Sequence, residues 1–312
     1  MPSAQSFAVL QSEQVSVPAV AADWGTVGST INRYVPLAEF GLKAEVETRE
    51  QKPACGVLQV RHVEKLRRTI QGTIATALYG FFASGASDSF AQYLIDWAFS
   101  DPEAADRLSK TLHWKDEVSQ SKWTGLRVNE ATLSGDESGV RLSLSLIGKL
   151  EAESVLVMTP PDNRGKLTEF LFSDVAFTLD GSALPIESFV WTIRHGLALK
   201  FNGDYTPSSC RATSGQQSLT IKPLKTSAAY AVLQRLSTIA IKTASLTIKG
   251  RHEGTGASGV YAQGVFTFNR LALLDAPDDV AVEDYNFQPL SFACLKPSSS
   301  TPAVTQTWSL VS

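Results

Sequence analysis

The chain has 312 residues, of which 43% are hydrophobic and 19% are charged, and its formal net charge is −3. This composition is typical of a folded globular protein and excludes a disordered one. The length allows one large all-β domain or two ordinary domains. The small negative charge disfavours tight binding of nucleic acid, because contact with phosphates needs a concentrated basic surface.

Cysteine content and hydropathy indicate folding in a reducing cytosol. Cys55, Cys210 and Cys294 are odd in number and far apart, whereas a disulfide scaffold would have an even, denser set. The N-terminus lacks the basic start and apolar run of a secretory signal. No stretch reaches the roughly 20 apolar residues of a membrane-spanning helix. We therefore expect free thiols and no membrane partner.

Alternation of apolar and polar residues predicts that most of the chain is β-strand. Four sets each predict a strand with one buried face: Leu42, Ala44 and Val46; Leu142, Leu144 and Leu146; Val175, Phe177 and Leu179; and Leu246 and Ile248. The third set precedes Asp180-Gly181, a dipeptide that favours a tight hairpin turn. The sequence thus predicts a mainly β, antiparallel fold.

Two segments depart from this alternation and predict one short helix in each half of the chain. Asp88 can cap a helix over residues 87–100, and Pro102 follows the end of that helix. Ser227 can cap a second helix over residues 227–240. The expected buried stripes are Phe90, Leu94, Trp97 and Ala98 in the first helix, and Ala229, Val232, Leu233 and Leu236 in the second.

The order of these elements predicts two tandem antiparallel β-sandwich or barrel-like domains, each with one packed helix. Residues 1–37 are expected to form an N-terminal arm and residues 38–157 the first domain. The segment 158–166 is rich in residues that break regular structure and is expected to be a linker. Residues 167–312 then form the second domain with a C-terminal extension.

The two halves also look like divergent copies of one unit. Residues 124–146 align without a gap on residues 244–266, and both segments consist of a strand, a Gly-rich loop and a second strand. In each half the predicted helix precedes this hairpin. The sequence therefore predicts an internal duplication.

Motifs that would carry chemistry do not meet their structural requirements. Gly254, Gly256 and Gly259 have the spacing of a dinucleotide-binding loop, but that loop requires a helix at the third glycine, where this sequence predicts a strand. A hairpin loop is the favoured interpretation. No Gly-x-Ser-x-Gly motif is present. Cys55 or Cys210 would need a distant histidine to act as a nucleophile, and the sequence does not establish such a pairing.

The histidines give no metal site either. His62, His113, His195 and His252 each stand without a second ligand at a recognised spacing, so structural histidine is the favoured interpretation. We predict that the protein is not an enzyme and binds no cofactor or metal.

Two charge clusters have two open interpretations. The basic cluster is Arg61, Lys65, Arg67 and Arg68, and the acidic cluster contains Asp275, Asp278, Asp279, Glu283 and Asp284. Either cluster is most simply a solvated surface. Alternatively, complementary patches of this kind orient subunits in an assembly, since charge sets register more than affinity. The acidic cluster lacks the ligand spacing of a calcium loop.

Three segments resemble sequences of the tail tube proteins of long-tailed bacteriophages. Residues 22–26 (ADWGT) resemble the aromatic-Gly-Thr signature near the start of that family, and residues 124–129 (TGLRVN) resemble a stretch in the middle of it. Residues 172–197 resemble its second-half hairpin. The resemblance extends over residues 20–295 in the family's order.

The resemblance implies a structural virion protein of the tail, assembled in the host cytoplasm. Family members are β-sandwich domains with a flanking helix, whose sheets close side by side into a barrel and whose rings stack into a tube. A duplicated chain would form trimeric rings with pseudo-sixfold symmetry, with hexameric rings as the alternative. The implied partners are the tape measure protein and other tail proteins, and DNA would cross a neutral or negative lumen without specific binding.

Long loops would make the contacts between stacked rings. The candidate stacking residues are Gln51, Lys52, Pro53, Ala54, Cys55, Gly56, Tyr205, Thr206, Pro207 and Ser208, together with the N-terminal arm. Two other functions stay open at this point. The chain could form another tail ring, such as a distal-tail or terminator protein, or it could be a receptor- or glycan-binding β-sandwich.

Overall fold

A computed structural model describes most of the chain and is almost entirely β-structure. The described residues are 7–13, 27–35, 37–51, 62–80, 90–99, 109–115, 120–153, 168–213, 215–227, 229, 241–250, 261–275, 289–298 and 300–311. In the first half, the elements are β1 (Phe7–Glu13), β2 (Val27–Val35), β3 (Glu39–Phe40), β4 (Lys43–Gln51), β5 (His62–Ala77), β6 (Tyr79–Gly80), α1 (Phe90–Ala98), β7 (Lys110–Lys115), β8 (Gln120–Asp136), β9 (Gly139–Gly148) and β10 (Leu150–Glu153).

The second half is built from shorter strands in a similar order. Its elements are β11 (Thr168–Glu169), a 3-10 turn (Phe172–Asp174), β12 (Ala176–Leu179), β13 (Ser182–Ala183), β14 (Ile186–Arg194), β15 (Leu197–Lys200), β16 (Ser209–Ala212), β17 (Gln216–Pro223), β18 (Ile241–Gly250), β19 (Tyr261–Asp275), β20 (Leu290–Cys294) and β21 (Val304–Val311). The prediction of a mainly β, antiparallel fold is confirmed.

One long sheet runs through both halves and is called the main sheet below. Its strand order is β4–β5–β9–β8–β14–β17–β20–β19, and every neighbouring pair is antiparallel. The N-terminal part of β8 leaves this sheet and pairs with β7 and β10, while β7 continues to β1 and β2. These strands form a second layer over one face of the main sheet.

A single core fills the space between the layers. Trp191 on β14 lies at its centre, stacked on Phe99 after α1 with 3.9 Å between ring centroids, and in contact with Phe266 and Phe268 of β19. The buried cluster takes side chains from both halves and both layers. Aromatic side chains bury a large apolar area each, so this cluster ties α1, β14 and β19 together.

Most of the predicted strands are correct because their buried faces follow a period of two. Leu142, Leu144 and Leu146 of β9 are all buried, as are Leu246 and Ile248 of β18. Asp180 (φ 49°) and Gly181 (φ 74°) form the turn of the β12–β13 hairpin with the two positive φ angles that a type I′ turn requires.

Two predicted sets are only partly correct. In the third set, Val175 is half-buried and lies before the start of β12. The first set, on β4, is also incomplete. Leu42 is buried and Ala44 is half-buried, but Val46 is 44% exposed. The pairing of β5 with β9 ends at Ile70, opposite Ala44 on β4, so the core no longer covers the strand at Val46.

The helix predictions are confirmed in the first half and refined in the second. Helix α1 begins at Phe90 and buries Leu94, Trp97 and Ala98 as expected; Asp88 and Pro102 lie outside the described residues. Near the second helix, Ser227 and Ala229 are helical, and the Ala229 backbone N–H donates to Thr226 Oγ1 at 3.1 Å. The cap is therefore Thr226 and not Ser227. Residues 230–240 lie outside the described part.

The prediction of an N-terminal arm over residues 1–37 is wrong where the structure describes these residues. Strand β1 lies between β2 and β7, and Ala8, Val9 and Leu10 are buried. Strand β2 pairs with β1 over most of its length. Strand β1 begins with four consecutive apolar residues and therefore lacks the alternation by which the other strands were predicted. Such a run is usual for a strand buried on both faces.

The two halves repeat one pattern of strand pairing. Seven pairs in the first half have counterparts in the second: β1–β2 and β12–β13, β1–β7 and β12–β18, β7–β8 and β18–β19, β8–β10 and β19–β21, β8–β9 and β19–β20, β5–β9 and β17–β20, and β4–β5 and β14–β17. The helical residues before β18 stand where α1 stands before β7.

The alignment of residues 124–146 with 244–266 is wrong by one strand. It equates the β8–β9 hairpin with β18–β19, whereas the pairing pattern equates β8–β9 with β19–β20. Both hairpins alternate between buried and exposed side chains, so sequence similarity alone does not distinguish them. The division into two domains stays a prediction: the linker 158–166 lies outside the described residues, and β8 pairs with β14 across the two halves.

Replacement of Leu10 by alanine tests whether β1 is an interior strand. Leu10 is fully buried, so Leu10→Ala should lower the free energy of unfolding of the subunit by about 2–5 kcal/mol. Urea unfolding of dilute subunits measures the effect. Thr305→Ala, at an exposed site on β21, is the control and should change the free energy by less than about 0.5 kcal/mol. Equal stability of both variants would show that residues 7–13 are a dispensable arm.

Candidate assembly surface

Among the residues that the structure describes, the second layer covers only one face of the main sheet, and the opposite face carries a row of small uncharged side chains. One row of directly paired residues crosses seven strands from β5 to β19, and none of its members is buried. We call it the small-residue row: Ala75, Ser143, Thr132, Thr192, Ser218, Ala293 and Ala272. At about 4.8 Å between strands, the row spans about 29 Å.

The neighbouring rows add hydroxyl groups and few unpaired charges. Thr132 and Thr192 share a hydrogen bond of 3.3 Å between hydroxyl oxygens, and Thr220 and Ser291 share one of 3.4 Å. One row further along, the carboxylate of Glu130 accepts from Arg194 at 3.0 Å, so these two charges compensate each other. The sheet therefore has a wide, polar and nearly neutral free face.

Strands β4 and β5 extend beyond the main sheet as a two-stranded ribbon. Strand β5 pairs with β9 only from Ile70 onward, so residues 62–69 pair with β4 alone among the described strands. Gln51, the first candidate stacking residue, lies at the end of this ribbon opposite His62. The candidates Lys52, Pro53, Ala54, Cys55 and Gly56 lie outside the described residues.

The second candidate stacking segment packs against the base of this ribbon. The Arg68 backbone N–H donates to the Tyr205 carbonyl at 2.7 Å, and the Arg67 guanidinium lies 4.9 Å from the ring centroid of Phe201. Tyr205 is 63% exposed and Thr206 is half-buried, whereas Pro207 is buried. Ser208 donates twice to the Lys200 carbonyl, from its backbone N–H at 2.8 Å and its hydroxyl at 2.9 Å. The structure thus brings together two segments that are far apart in sequence.

One of the basic candidates forms an ion pair inside the chain. Arg68 donates to Glu151 on β10 at 3.0 Å. In the strand register of the ribbon, Arg67 is opposite Glu47 and Lys65 is opposite Thr48. Arg61 and the acidic candidates Asp278, Asp279, Glu283 and Asp284 lie outside the described residues. Orientation of subunits by these charges stays a prediction.

Sequence reasoning missed the free edge of the main sheet. Among the described strands, β4 pairs only with β5, so its other side is open. A groove of about 290 Å³ lies over the β4–β5 pair, lined by Glu45, Val46, Glu47, Arg67, Thr69 and Phe201. At the opposite end of the sheet, Leu274 is 66% exposed. This exposed leucine could have been found in the sequence, because residues 271–274 contain three leucines where alternation predicts polar residues on one face.

His113, His195 and the two described cysteines have structural surroundings. His195 is fully buried and contacts the Ala98 carbonyl through Nε2 at 3.2 Å, and buried His113 contacts Gln11 Oε1 at 3.1 Å. Cys210 and Cys294 are buried thiols outside any disulfide, and burial raises the pKa of Cys294 to about 12. Strands β18 and β19 flank the Gly254–Gly259 spacing, as expected for a hairpin loop, although the loop lies outside the described residues.

The described residues hold neither a metal site nor a membrane-spanning helix. They contain no group of three or more histidine, cysteine or acidic residues arranged to hold a metal ion. Nor do they contain a helix that is long and apolar enough to cross a membrane.

These features define the class of the protein as a β-sandwich structural protein, with a main sheet that has a free edge and a free face. The chain belongs to the phage tail tube protein family, whose model matches residues 17–293. The resemblance of residues 20–295 is thereby confirmed, and the protein is a structural component of the virion tail. This family is not an enzyme family. No curated protein matches the sequence.

The pH dependence of stability tests whether the fold holds His113 in its neutral form. Burial, and then the charge of Lys122, lower the pKa of His113 from 6.5 to about 4. Because the unfolded chain binds the proton more tightly, stability should be complete above pH 6.5 and should fall as the pH drops toward 4. Urea unfolding midpoints at several pH values measure this loss. In His113→Gln, which cannot titrate, the loss across this pH range should be smaller; an equal loss would contradict the assignment.

Proposed function

We propose that the chain polymerises into stacked rings that form the phage tail tube, with the free face of the main sheet lining the channel for DNA. The small-residue row is the observation that carries this proposal. DNA must slide through the channel, and each phosphate held by a basic side chain adds an attraction that slows it. Hydroxyl and methyl groups are uncharged and therefore offer no ionic attraction to phosphate. The nearly neutral face also fits the expected neutral or negative lumen.

Each ring is proposed to contain three chains. The two halves repeat the same seven strand pairings, so each chain would supply two of six quasi-equivalent positions around the tube axis. Contacts of this head-to-tail kind close into a ring only when the rotations add up to a full turn. Hexameric rings are the alternative, and mass measurement of isolated rings distinguishes three chains from six.

Stacking of rings is assigned to the ribbon of β4 and β5 and to the loop that carries Tyr205. Both project from the region where the main sheet ends, and both present exposed apolar side chains, including Val46, Leu66 and Tyr205. Since β1 is an interior strand, we no longer assign a stacking role to residues 7–13. Other tail proteins, including the tape measure protein, are the proposed further partners, and assembly would take place in the host cytoplasm.

Introduction of lysine on the small-residue row tests the assignment of the lumen. Thr192→Lys should leave tubes intact but slow DNA release from phage particles, and the delay should be larger at low salt because phosphate contacts weaken with salt. The measurement is the rate of DNA release triggered in vitro. Thr305→Lys, at an exposed site outside the row, is the matched control. Normal release by Thr192→Lys at all salt concentrations would contradict the assignment.

Shortening of the ribbon tip tests the assignment of the stacking contacts. Deletion of residues 52–56 should leave a folded subunit that forms single rings but no tubes, because the connection between two paired strands is tolerant of shortening. Negative-stain microscopy measures the distribution of rings and tubes, and circular dichroism checks the fold. Tubes of normal length would show that the stacking contacts lie elsewhere in the subunit. The same images test the alternative of a distal-tail or terminator ring, which would not form long tubes.

A further inference from the structure

We propose that Asn202 is a site of spontaneous deamidation in the folded subunit. The backbone nitrogen of Gly203 attacks the side-chain carbonyl carbon of Asn202, and water then converts the product to aspartate or isoaspartate. The modification needs no enzyme and adds a negative charge to the hairpin of β15 and β16. Its consequence for tube assembly rests on the proposed function, whereas the modification itself does not.

The reaction consumes only water. The Gly203 nitrogen forms a bond to Cγ of Asn202, the side-chain nitrogen leaves as ammonia, and a succinimide ring closes. The proton of the Gly203 N–H leaves with the ammonia. Hydrolysis at Cγ restores the normal backbone with an aspartate. Hydrolysis at the main-chain carbonyl gives isoaspartate, in which the backbone runs through the side-chain carbon. Neither an oxidant nor a reductant takes part.

The sequence distinguishes Asn202 from the other asparagines. The chain contains six asparagines, and only Asn202 precedes a glycine. Glycine has no Cβ, so its backbone nitrogen approaches the preceding side chain with little steric hindrance, and its dihedral angles are the least restricted. The other asparagines precede arginine, glutamate or phenylalanine, whose side chains hinder the approach. Ring closure is therefore expected first at Asn202.

The structure leaves this dipeptide accessible. Strands β15 and β16 stop pairing at Lys200 and Ser209, and residues 201–208 connect them. Asn202 and Gly203 are exposed, and a Cβ added at Gly203 would meet nothing within 4 Å. Within the described part of the chain, the Asn202 side chain and the Gly203 N–H have no hydrogen-bond partner. No hydrogen bond therefore holds the attacking nitrogen away from the side chain.

The backbone at this dipeptide is not locked in a tight turn. An Asn-Gly pair favours the type I′ hairpin turn, which requires positive φ angles at both residues. Gly203 has a φ of 92°, but Asn202 is not among the described residues with positive φ. A loop with few hydrogen bonds and few buried contacts opens locally at a small cost in free energy. The dipeptide can therefore reach the geometry of ring closure while the rest of the subunit stays folded.

The turn at Asp180-Gly181 provides a contrast inside the same chain. Aspartate before glycine can form the same succinimide by loss of water, and this is the only Asp-Gly pair in the sequence. Here both φ angles are positive, so the turn is tight. The Thr243 N–H donates to the Asp180 carboxylate at 3.1 Å, and Lys242 forms an ion pair with it. We expect Asp180 to stay unmodified under conditions in which Asn202 reacts.

Two other asparagines are fixed by hydrogen bonds and serve as internal controls. The Asn129 side-chain oxygen accepts from the Leu197 N–H at 2.9 Å, and the Asn269 side-chain nitrogen donates to the Pro302 carbonyl at 3.0 Å. Both asparagines are half-buried. Rotation of either side chain towards the next backbone nitrogen would break its hydrogen bond, so both should react more slowly than Asn202.

Formation of isoaspartate would disturb the docking of the hairpin on the ribbon of β4 and β5. Two contacts flank the dipeptide. The Phe201 ring centroid lies 4.9 Å from the Arg67 guanidinium, and the Tyr205 carbonyl accepts from the Arg68 N–H at 2.7 Å. Isoaspartate inserts an extra carbon atom into the backbone between these contacts, so they cannot both keep their present geometry. The new carboxylate also increases the negative charge near Asp204.

This chemistry would couple assembly to the age of the subunit. The loop that carries Tyr205 is proposed to lie between stacked rings, where a neighbouring ring would restrict the backbone motion that ring closure requires. Free subunits are therefore expected to accumulate the modification and to lose their capacity to stack. Subunits already in tubes are expected to keep Asn202.

Mass spectrometry of the free subunit tests the site. Trypsin cleaves after Lys200 and Arg211, and the peptide of residues 201–211 contains Asn202 as its only asparagine. After incubation of the folded subunit in mildly alkaline buffer, this peptide should be deamidated at least about tenfold faster than Asn129 and Asn269. An enzyme that methylates isoaspartate identifies the rearranged product. Equal rates at the three asparagines would overturn the proposal.

A synthetic peptide shows whether the fold permits the reaction. A peptide of residues 198–208 gives the rate of deamidation in an unfolded chain. The folded subunit should react at a rate within about tenfold of this reference. A much slower reaction in the subunit would show that the hairpin protects Asn202, which would overturn the proposal.

Two variants connect the modification to assembly. Asn202→Gln closes its larger ring far more slowly, so it should stay unmodified and keep its tube yield after an incubation that lowers the yield of the unmodified sequence. Freshly prepared Asn202→Asp carries the charge without the extra backbone carbon and should keep most of its tube yield. A loss in Asn202→Asp as large as that of the aged protein would contradict the effect assigned to the backbone.

The outcomes separate this inference from the proposed function. Aged protein should form fewer tubes than fresh protein, in proportion to its isoaspartate content, and tubes should be modified more slowly than free subunits. Equal rates in tubes and free subunits would leave Asn202 as a modification site but overturn its protection between rings. Absence of rings and tubes from fresh protein under all conditions would overturn the proposed function and leave the peptide result standing.

Discussion

The pairing of β8 with β14 is the interaction on which the rest of the structure depends. Backbone groups at a sheet edge must find partners, and an open edge invites pairing with another chain. Within this chain, β8 and β14 form six residue pairs, so the backbone groups at the facing edges of the two halves are hydrogen-bonded. The same pairing places Trp191 over the shared core. Among the described strands, the same pattern leaves one edge open at β4 and one at the end of β19, which are the two ends of the main sheet.

Local patterns predicted the elements better than their arrangement. The strand with Leu142 and Leu144 and the turn at Asp180-Gly181 could be predicted because neighbouring residues determine them. The N-terminal arm could not be excluded from sequence, since β1 is a short apolar run whose partners β2 and β7 are distant in the chain. The duplicated hairpins were misaligned because a shift by one strand preserves the alternation of buried and exposed positions.

For the candidate surface too, features determined by neighbouring residues could be predicted, and features that depend on distant strands could not. Loop composition identified the segments around Gln51 and Tyr205, and the structure places the second against the base of the ribbon that carries the first. The small-residue row was not predictable, because its seven residues come from seven strands and share only their register. Single Ser and Thr residues in alternating strands are common on solvent-facing sheets and carry no signal by themselves.

The layering of the molecule decides which face of the main sheet can line a channel. Closing a sheet into a ring gives its two faces different circumferences, and only the outer one has room for another layer. Helix α1 and the strands β1, β2 and β7 cover the core face, so in the proposed ring they lie outside. The small-residue row is then left on the inner side, where side chains converge and bulky residues would crowd the lumen. Small uncharged residues are therefore what both the curvature and the proposed passage of DNA would favour at this position.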